Sequence, residues 1–267
     1  MRTKDFFAFI ALLALIGTSF SCKNSQPFSN GRWVDLSYEF SSETIYWPTA
    51  ESFRLDMVSA GMTEKGYYYA ANNFSAAEHG GTHLDSPIHF AEGAKTVEQI
   101  PVEQLIGEAI VIDVTEQALE NHDYLIGIPD FENWESKHSR IPDNAIVLLN
   151  TGYGKFYPDK QKYMGTDQIG EEAVSQLHFP GLDPRAAEWL INNRKISAIG
   201  LDTPSIDYGQ STHFQSHRIL FAQNIPAFEN VANLEMLPPT GSFVIALPMK
   251  IKGGSGAPLR MVAFIPE

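Results

Sequence analysis

Residues 145–149 (Ala-Ile-Val-Leu-Leu) and 243–247 (Phe-Val-Ile-Ala-Leu) are apolar at every position. A strand with one wet face alternates apolar and polar side chains, so a run without alternation belongs to a strand covered on both faces. The chain supplies the cover. Strand-like runs at 33–37, 67–74, 109–114, 145–150, 196–201, 242–247 and 260–265 are separated by segments with helical spacing. The clearest helix opens at Asp183-Pro184, an N-cap followed by a first-turn proline. It runs through Ala186, Ala187, Trp189, Leu190 and Ile191 to Arg194-Lys195. Residues 170–177 and 215–222 are shorter helical candidates. Interleaved strands and helices, with no repeat and no linker after residue 30, give an α/β fold in a single domain, residues 31–267.

The single cysteine, Cys22, rules out an intrachain disulfide and any thiolate metal cluster. A metal must therefore be held by His, Asp, Glu or backbone. Residues 1–21 read as an export signal: Arg2 and Lys4 precede an apolar run at 6–16, and small residues lead to Cys22. The run is too short to span a bilayer. Its arrangement ahead of a lone cysteine predicts a lipoprotein anchored through Cys22. Residues 22–30 then form a tether, and the protein is exported, periplasmic or attached to the outer membrane. The formal charge is −13; losing Arg2, Lys4 and Asp5 leaves −14, and no basic run occurs anywhere. That balance argues against nucleic acid as a partner.

Eight histidines are present, and three fall within the eleven residues His79-Gly-Gly-Thr-His-Leu-Asp-Ser-Pro-Ile-His89. His79, His83, Asp85 and His89 are all odd-numbered. On an extended chain alternate side chains share a face, about 6.5–7 Å apart, which sets His83 and Asp85 side by side. Gly80, Gly81 and Thr82 disfavour a helix here, and glycine lets backbone approach a ligand. The expectation is a strand running into a loop, its imidazoles and one carboxylate turned into a common cavity. A second group follows at His213, His217 and Glu229; by themselves these also fit a helix-surface imidazole and an exposed strand carboxylate. His122, His138 and His178 read as structural or surface residues.

The eleven-residue segment matches without a gap the HxGTHxDxPxH signature of the cyclase or bacterial kynurenine formamidase-like metal hydrolases, which the chain resembles. The resemblance extends to Val34-Asp-Leu-Ser37 and to residues 180–190, 200–207 and 248–260. It implies a mixed or barrel-like sheet flanked by helices, of swivelling β/α type, and a homodimer or larger assembly. It also implies His79, His83, Asp85, His217 and Glu229 as ligands of one or two divalent ions, zinc or manganese, with His89 as a proton shuttle beside the metal.

The function so implied is hydrolysis of a small amide, an arylformamide or cyclic amide such as N-formylkynurenine or isatin, by metal-activated water. Trp47, Phe90 and Phe214 are candidates to hold a flat aromatic substrate. A lactone hydrolase and a non-catalytic metal-binding lipoprotein are the alternatives. His89 favours an enzyme, because a carrier has no use for a proton shuttle.

Overall fold

The computed structural model describes residues 28–267. The predicted export signal, Cys22 and most of the predicted tether lie outside the described residues. The strands are β1 (Gly31–Asp35), β2 (Arg54–Met62), β3 (Tyr68–Ser75), β4 (His83–Asp85), β5 (Ile106–Asp113), β6 (Leu125–Ile126), β7 (Ile146–Asn150), β8 (Gly181–Leu182), β9 (Ala198–Leu201), β10 (Ala227–Glu229), β11 (Ser242–Pro248) and β12 (Gly256–Pro266). The α-helices are α1 (Thr115–Glu120), α2 (Ile128–His138), α3 (Lys160–Met164), α4 (Glu171–Val174), α5 (Pro184–Asn193) and α6 (Gln215–Phe221).

Seven strands close into a ring in the order β12-β11-β5-β7-β9-β10-β4 and back to β12. Strands β5, β7, β9 and β10 run parallel, and the remaining pairings are antiparallel. Strand β12 makes closure possible by its length. One of its edges pairs with β1 over residues 262–266 and with the short β4 over residues 256–258.

The unbroken apolar runs follow from this closure. Ala109, Val111, Ile146, Leu148 and Ala198 pack with Leu84, Phe228, Val244 and Met261 into one core inside the ring. Their alternates Ile110, Ile112, Val147, Leu149, Ile199 and Leu201 pack outside it, beneath α2, α5 and α6. Both faces of β5, β7 and β9 are dry, as the lack of alternation predicts.

Helix α5 begins where the sequence places it. Asp183 accepts from the Arg185 amide, Pro184 fills the first turn, and Ala186, Ala187 and Leu190 are buried. Arg194, just past its end, pairs with Glu135 of α2 and lies over the Trp189 ring. The candidate at 170–177 shortens to the single turn of α4, and the one at 215–222 becomes α6. The run at 67–74 forms a strand outside the barrel: β3 pairs only with β2, in a separate two-stranded sheet. No helix among the described residues is long and apolar enough to cross a membrane.

Candidate metal and active site

Leu84 and Phe228 point into the barrel core, so their neighbours His83, Asp85 and Glu229 project from its outer surface. The β4–β10 register sets Glu229 directly opposite His83. On the other flank Gly256 of β12 lies opposite Asp85. A Cβ on Gly256 would come within 2.4 Å of the His79 ring, so this glycine makes room for that imidazole. The motif glycines act in the same way. A Cβ on Gly80 would fall 2.0 Å from a ring carbon of Tyr46, and Gly81 has φ +54° with Phe40 and Thr44 at 2.9 Å. They accommodate protein side chains and a chain reversal, and Gly80 also borders the cavity.

The segment 79–89 is therefore not one extended face. The chain turns at Gly81, runs as β4 for three residues, then coils into a short 3-10 turn at Pro87–His89. Folding back gathers the imidazoles around Asp85 more tightly than alternation could. Asp85 Oδ1 lies 2.6 Å from His79 Nδ1 and 3.1 Å from His83 Nε2. Asp85 Oδ2 lies 3.3 Å from His217 Nε2 and 3.9 Å from His89 Nε2. Glu229 is 3.4 Å from His83 Nε2 and 3.1 Å from His217 Nε2. The His89 ring stacks on His79 at 3.9 Å. His213 is exposed on the loop before α6 and does not line the cavity.

Residues without any local signal in the sequence hold these groups in place. Asp207 accepts from the backbone amides of Ser216 and His217 and sits 2.6 Å from His217 Nδ1. It fixes the start of α6 and leaves His217 Nε2 free to face the carboxylates. The Gly81 carbonyl lies 2.9 Å from His83 Nδ1 and accepts from the Asn230 side chain at 2.8 Å; Asn230 in turn accepts from Tyr163. His79 Nε2 contacts Ser255 Oγ, which donates to Glu78. Such outer partners set imidazole tautomers and orientation.

The charge balance is unusual for a buried cluster. Burial opposes protonation of His83, but Asp85 and then Glu229 outweigh it and raise its pKa. Burial likewise opposes protonation of His217, yet Asp207, Asp85 and Glu229 hold its pKa well above the imidazole range. Asp85 stays well below the carboxylate range despite burial, held down by His79 and the neighbouring imidazoles. Burial and the Asp85 charge push Glu229 up. Burial, reinforced by the surrounding imidazoles, lowers His89 to about 4.

These residues fit a divalent cation. With Nδ1 of His83 held by the Gly81 carbonyl, Nε2 is the ring nitrogen left to bind an ion. That nitrogen is buried without a hydrogen-bond partner, yet it faces two carboxylates. A buried ring nitrogen without a hydrogen-bond partner, set between two carboxylates, is a donor set that a cation would complete. Two overlapping groups have ligand atoms mutually within 4.8 Å: His83, Asp85 and Glu229, and His79, Asp85 and His89. Asp85 is common to both. Donors that are all nitrogen and oxygen suit zinc or manganese.

Metal uptake at these residues would displace protons. Acidic neighbours raise the pKa values of His83 and His217 against burial, and a ligating imidazole must be neutral, so an ion would compete with protons at both. Metal affinity therefore falls as pH drops through those raised values. Titration calorimetry at pH 7 in buffers of different ionisation enthalpy should show at least one proton released per ion bound; none released would contradict this charge assignment. Asp207→Ala should weaken metal affinity by about 10–100-fold while the barrel still folds, read by competition with a chromogenic chelator.

The cluster forms part of the lining of a cavity of about 290 Å³. Trp47, Phe90 and Phe214 contribute apolar lining, with Ile45 and Pro204. Phe90 and Phe214 stack at 5.0 Å, and Phe90 lies 4.7 Å from His217. All nine residues singled out in the sequence as ligands, shuttle or aromatic wall thus border one space.

The cyclase family model matches residues 34–208, well over half of the chain. The chain belongs to the cyclase family. Among curated cyclase-family relatives, isatin hydrolase of Roseibium aggregatum is 30% identical over 210 residues, 76% of this chain and 77% of the relative. Kynurenine formamidase of Salinibacter ruber is 27% identical, covering 86% of this chain and 95% of the relative. The solved structure of isatin hydrolase A from Labrenzia aggregata bound to benzyl benzoate superposes with a TM-score of 0.79. It is 34% identical and covers 88% of this chain and 94% of that one. The matched residues include the segment 79–89, which the barrel folds around Asp85.

Proposed function

We propose that the chain hydrolyses the amide bond of a small, flat aromatic compound, an arylformamide or cyclic amide of the N-formylkynurenine or isatin type. The observation that carries this reading is the unpartnered His83 Nε2, which faces Asp85 and Glu229 in a cavity bordered by Trp47, Phe90 and Phe214. The names of its relatives, isatin hydrolase and kynurenine formamidase, support the same substrate class. His79, His83, Asp85, His217 and Glu229 would hold one or two divalent ions, zinc or manganese. Such an ion lowers the pKa of water toward neutrality and polarises a carbonyl oxygen.

The chain's own groups supply position and proton movement. Phe90, Phe214 and Trp47 clamp the aromatic ring and exclude water from one side of the amide. His89 enters the reaction neutral at pH 7, because burial holds its pKa near 4. It accepts a proton at Nε2 as water adds to the carbonyl and returns that proton to the leaving nitrogen. Its stacking on His79 keeps it beside Asp85 rather than rotated to solvent.

A lactone would undergo the same attack with an oxygen leaving group, and the leaving atom decides between the two. The test is kcat/KM for N-formylkynurenine, isatin and an aromatic lactone on zinc- and manganese-loaded protein. Preference for either nitrogen substrate supports the proposal. Exclusive lactone cleavage, or no turnover of any of them by fully loaded protein, overturns it.

The export signal at 1–21 and lipidation of Cys22 belong to the same proposal, placing the enzyme in the periplasm or on the outer membrane. Mass spectrometry of the mature N-terminus tests this. An unprocessed Met1 refutes it.

A further inference from the structure

The imidazoles of His79, His83 and His217 all face Asp85, but their outer nitrogens are held in two different ways. At His83 the outer atom is Nδ1, 2.9 Å from the Gly81 carbonyl; at His217 it is Nδ1 again, 2.6 Å from Asp207. A carbonyl and a carboxylate only accept, so each keeps a proton on Nδ1. Nε2 of both rings is left turned to Asp85 and Glu229. His79 is reversed. Its Nδ1 lies 2.6 Å from Asp85 Oδ1, and its Nε2 lies 2.9 Å from Ser255 Oγ. A hydroxyl can donate or accept, so Ser255 by itself selects neither nitrogen.

Glu78 removes that freedom. Its Oε2 accepts from Ser255 Oγ at 2.7 Å, and from the backbone amides of Ser255 and Gly256 at 3.0 and 3.3 Å. With the hydroxyl proton given to a carboxylate, the Ser255 oxygen can only accept from the ring, and His79 Nε2 is the nitrogen that carries the proton. We propose that Glu78 and Ser255 are positioning residues that fix which nitrogen of His79 is offered to an ion, resting on the metal site of the proposed function. They hold the proton on Nε2. An ion bound at Asp85 then meets His79 through Nδ1, whereas it meets His83 and His217 through Nε2.

The ring is fixed in orientation as well. Turning it over would set Cδ2 against Asp85 and Cε1 against Ser255, and both contacts would be lost. The ring stacks on His89 at 3.9 Å, and Gly256 stands where a Cβ would meet Cε1 at 2.4 Å. Ser255 is itself pinned to the motif segment, because the Ser86 amide donates to its carbonyl at 2.9 Å. It directly precedes β12, whose Gly256 pairs with Asp85 of β4 where the barrel closes. The contact between Glu78 and Ser255 thus joins His79 to the closing strand across 177 positions of sequence.

A long-range proton–nitrogen NMR spectrum of zinc-loaded protein, labelled with nitrogen-15 at histidine, tests the proposal. Signals missing from His79→Gln assign the ring. The His79 proton should sit on Nε2, and the zinc-shifted resonance should belong to Nδ1. Ser255→Ala should weaken zinc affinity by about 10–100-fold, read by competition with a chromogenic chelator. Ser255→Thr keeps the hydroxyl and should restore it. Glu78→Gln keeps the length of the side chain, but its amide can donate to Ser255 as well as accept. Zinc affinity should therefore fall in that variant although Ser255 is intact, with circular dichroism confirming the barrel. Zinc on Nε2 of His79 in the parent protein overturns the proposal, and so does parent-like affinity in both Ser255→Ala and Glu78→Gln. A parent protein that binds no zinc overturns the metal site itself, and this assignment with it.

Discussion

Asp85→Asn should weaken metal affinity by roughly 10²–10³-fold, equivalent to about 3–4 kcal/mol, and reduce turnover at limiting metal by at least that factor. The substitution keeps the volume of the side chain and removes the one charge that four imidazoles face, at 2.6, 3.1, 3.3 and 3.9 Å. It also removes the largest raising influence on His83 and the second largest on His217. Both imidazoles then titrate nearer the usual range, and proton release on metal uptake at pH 7 shrinks. Metal content after gel filtration, with circular dichroism to confirm the barrel, measures the effect. An Asp85→Asn variant that binds metal as tightly as the parent would show that Asp85 is not the hub of the site.

His89→Ala separates catalysis from metal binding. It should lower kcat by about 10²–10⁴-fold, the range for loss of a positioned acid–base group, while metal content stays at the parent level. The geometry makes this a sharp test, because His89 also lies in one of the two groups capable of holding an ion. Its Nε2 is the outlying contact, 3.9 Å from Asp85, and burial keeps it neutral down to about pH 4. Its base function is present above that value and lost below it. The acid limb of the parent's pH profile should nevertheless sit higher, where His83 and His217 regain their protons and release the ion. Loss of metal from the His89→Ala variant would make His89 a ligand.

Much of the site was legible because its chemistry is local. His79, His83, Asp85 and His89 fall within eleven residues, and the glycines and proline among them mark a turn and a strand end. The turn changed the geometry: Gly81 folds the segment back, so convergence on Asp85 comes from reversal as well as alternation. Glu229 could be tied to His83 only by resemblance, because the β4–β10 register that joins them spans 146 positions of sequence. Asp207 and Asn230 carry no local signal. Their roles arise from what they hold, the His217 ring and the Gly81 carbonyl.

The fold follows the same division. The apolar runs of β5, β7 and β9 read correctly because each is dry on both sides, whereas β11 buries only one face: Phe243 and Ile245 are half-buried and Leu247 is exposed. The strand-like run at 67–74 is a strand, but it stands outside the barrel, with its apolar side chains on an exposed hairpin. Periodicity records that a face is apolar and says nothing of what covers it. Helix α2 went unseen because only Phe131 and Trp134 of its eleven residues are buried, too few to stand out as a stripe.

A divalent ion held around Asp85 is what would make this chain an amide hydrolase. The most direct test is isatin and N-formylkynurenine hydrolysis by protein stripped with a chelator, then titrated with zinc or manganese. Stripped protein should show no turnover, and activity on at least one substrate should rise in proportion to bound ion and saturate with site occupancy. Equal turnover by stripped and loaded protein would contradict a metal-dependent mechanism.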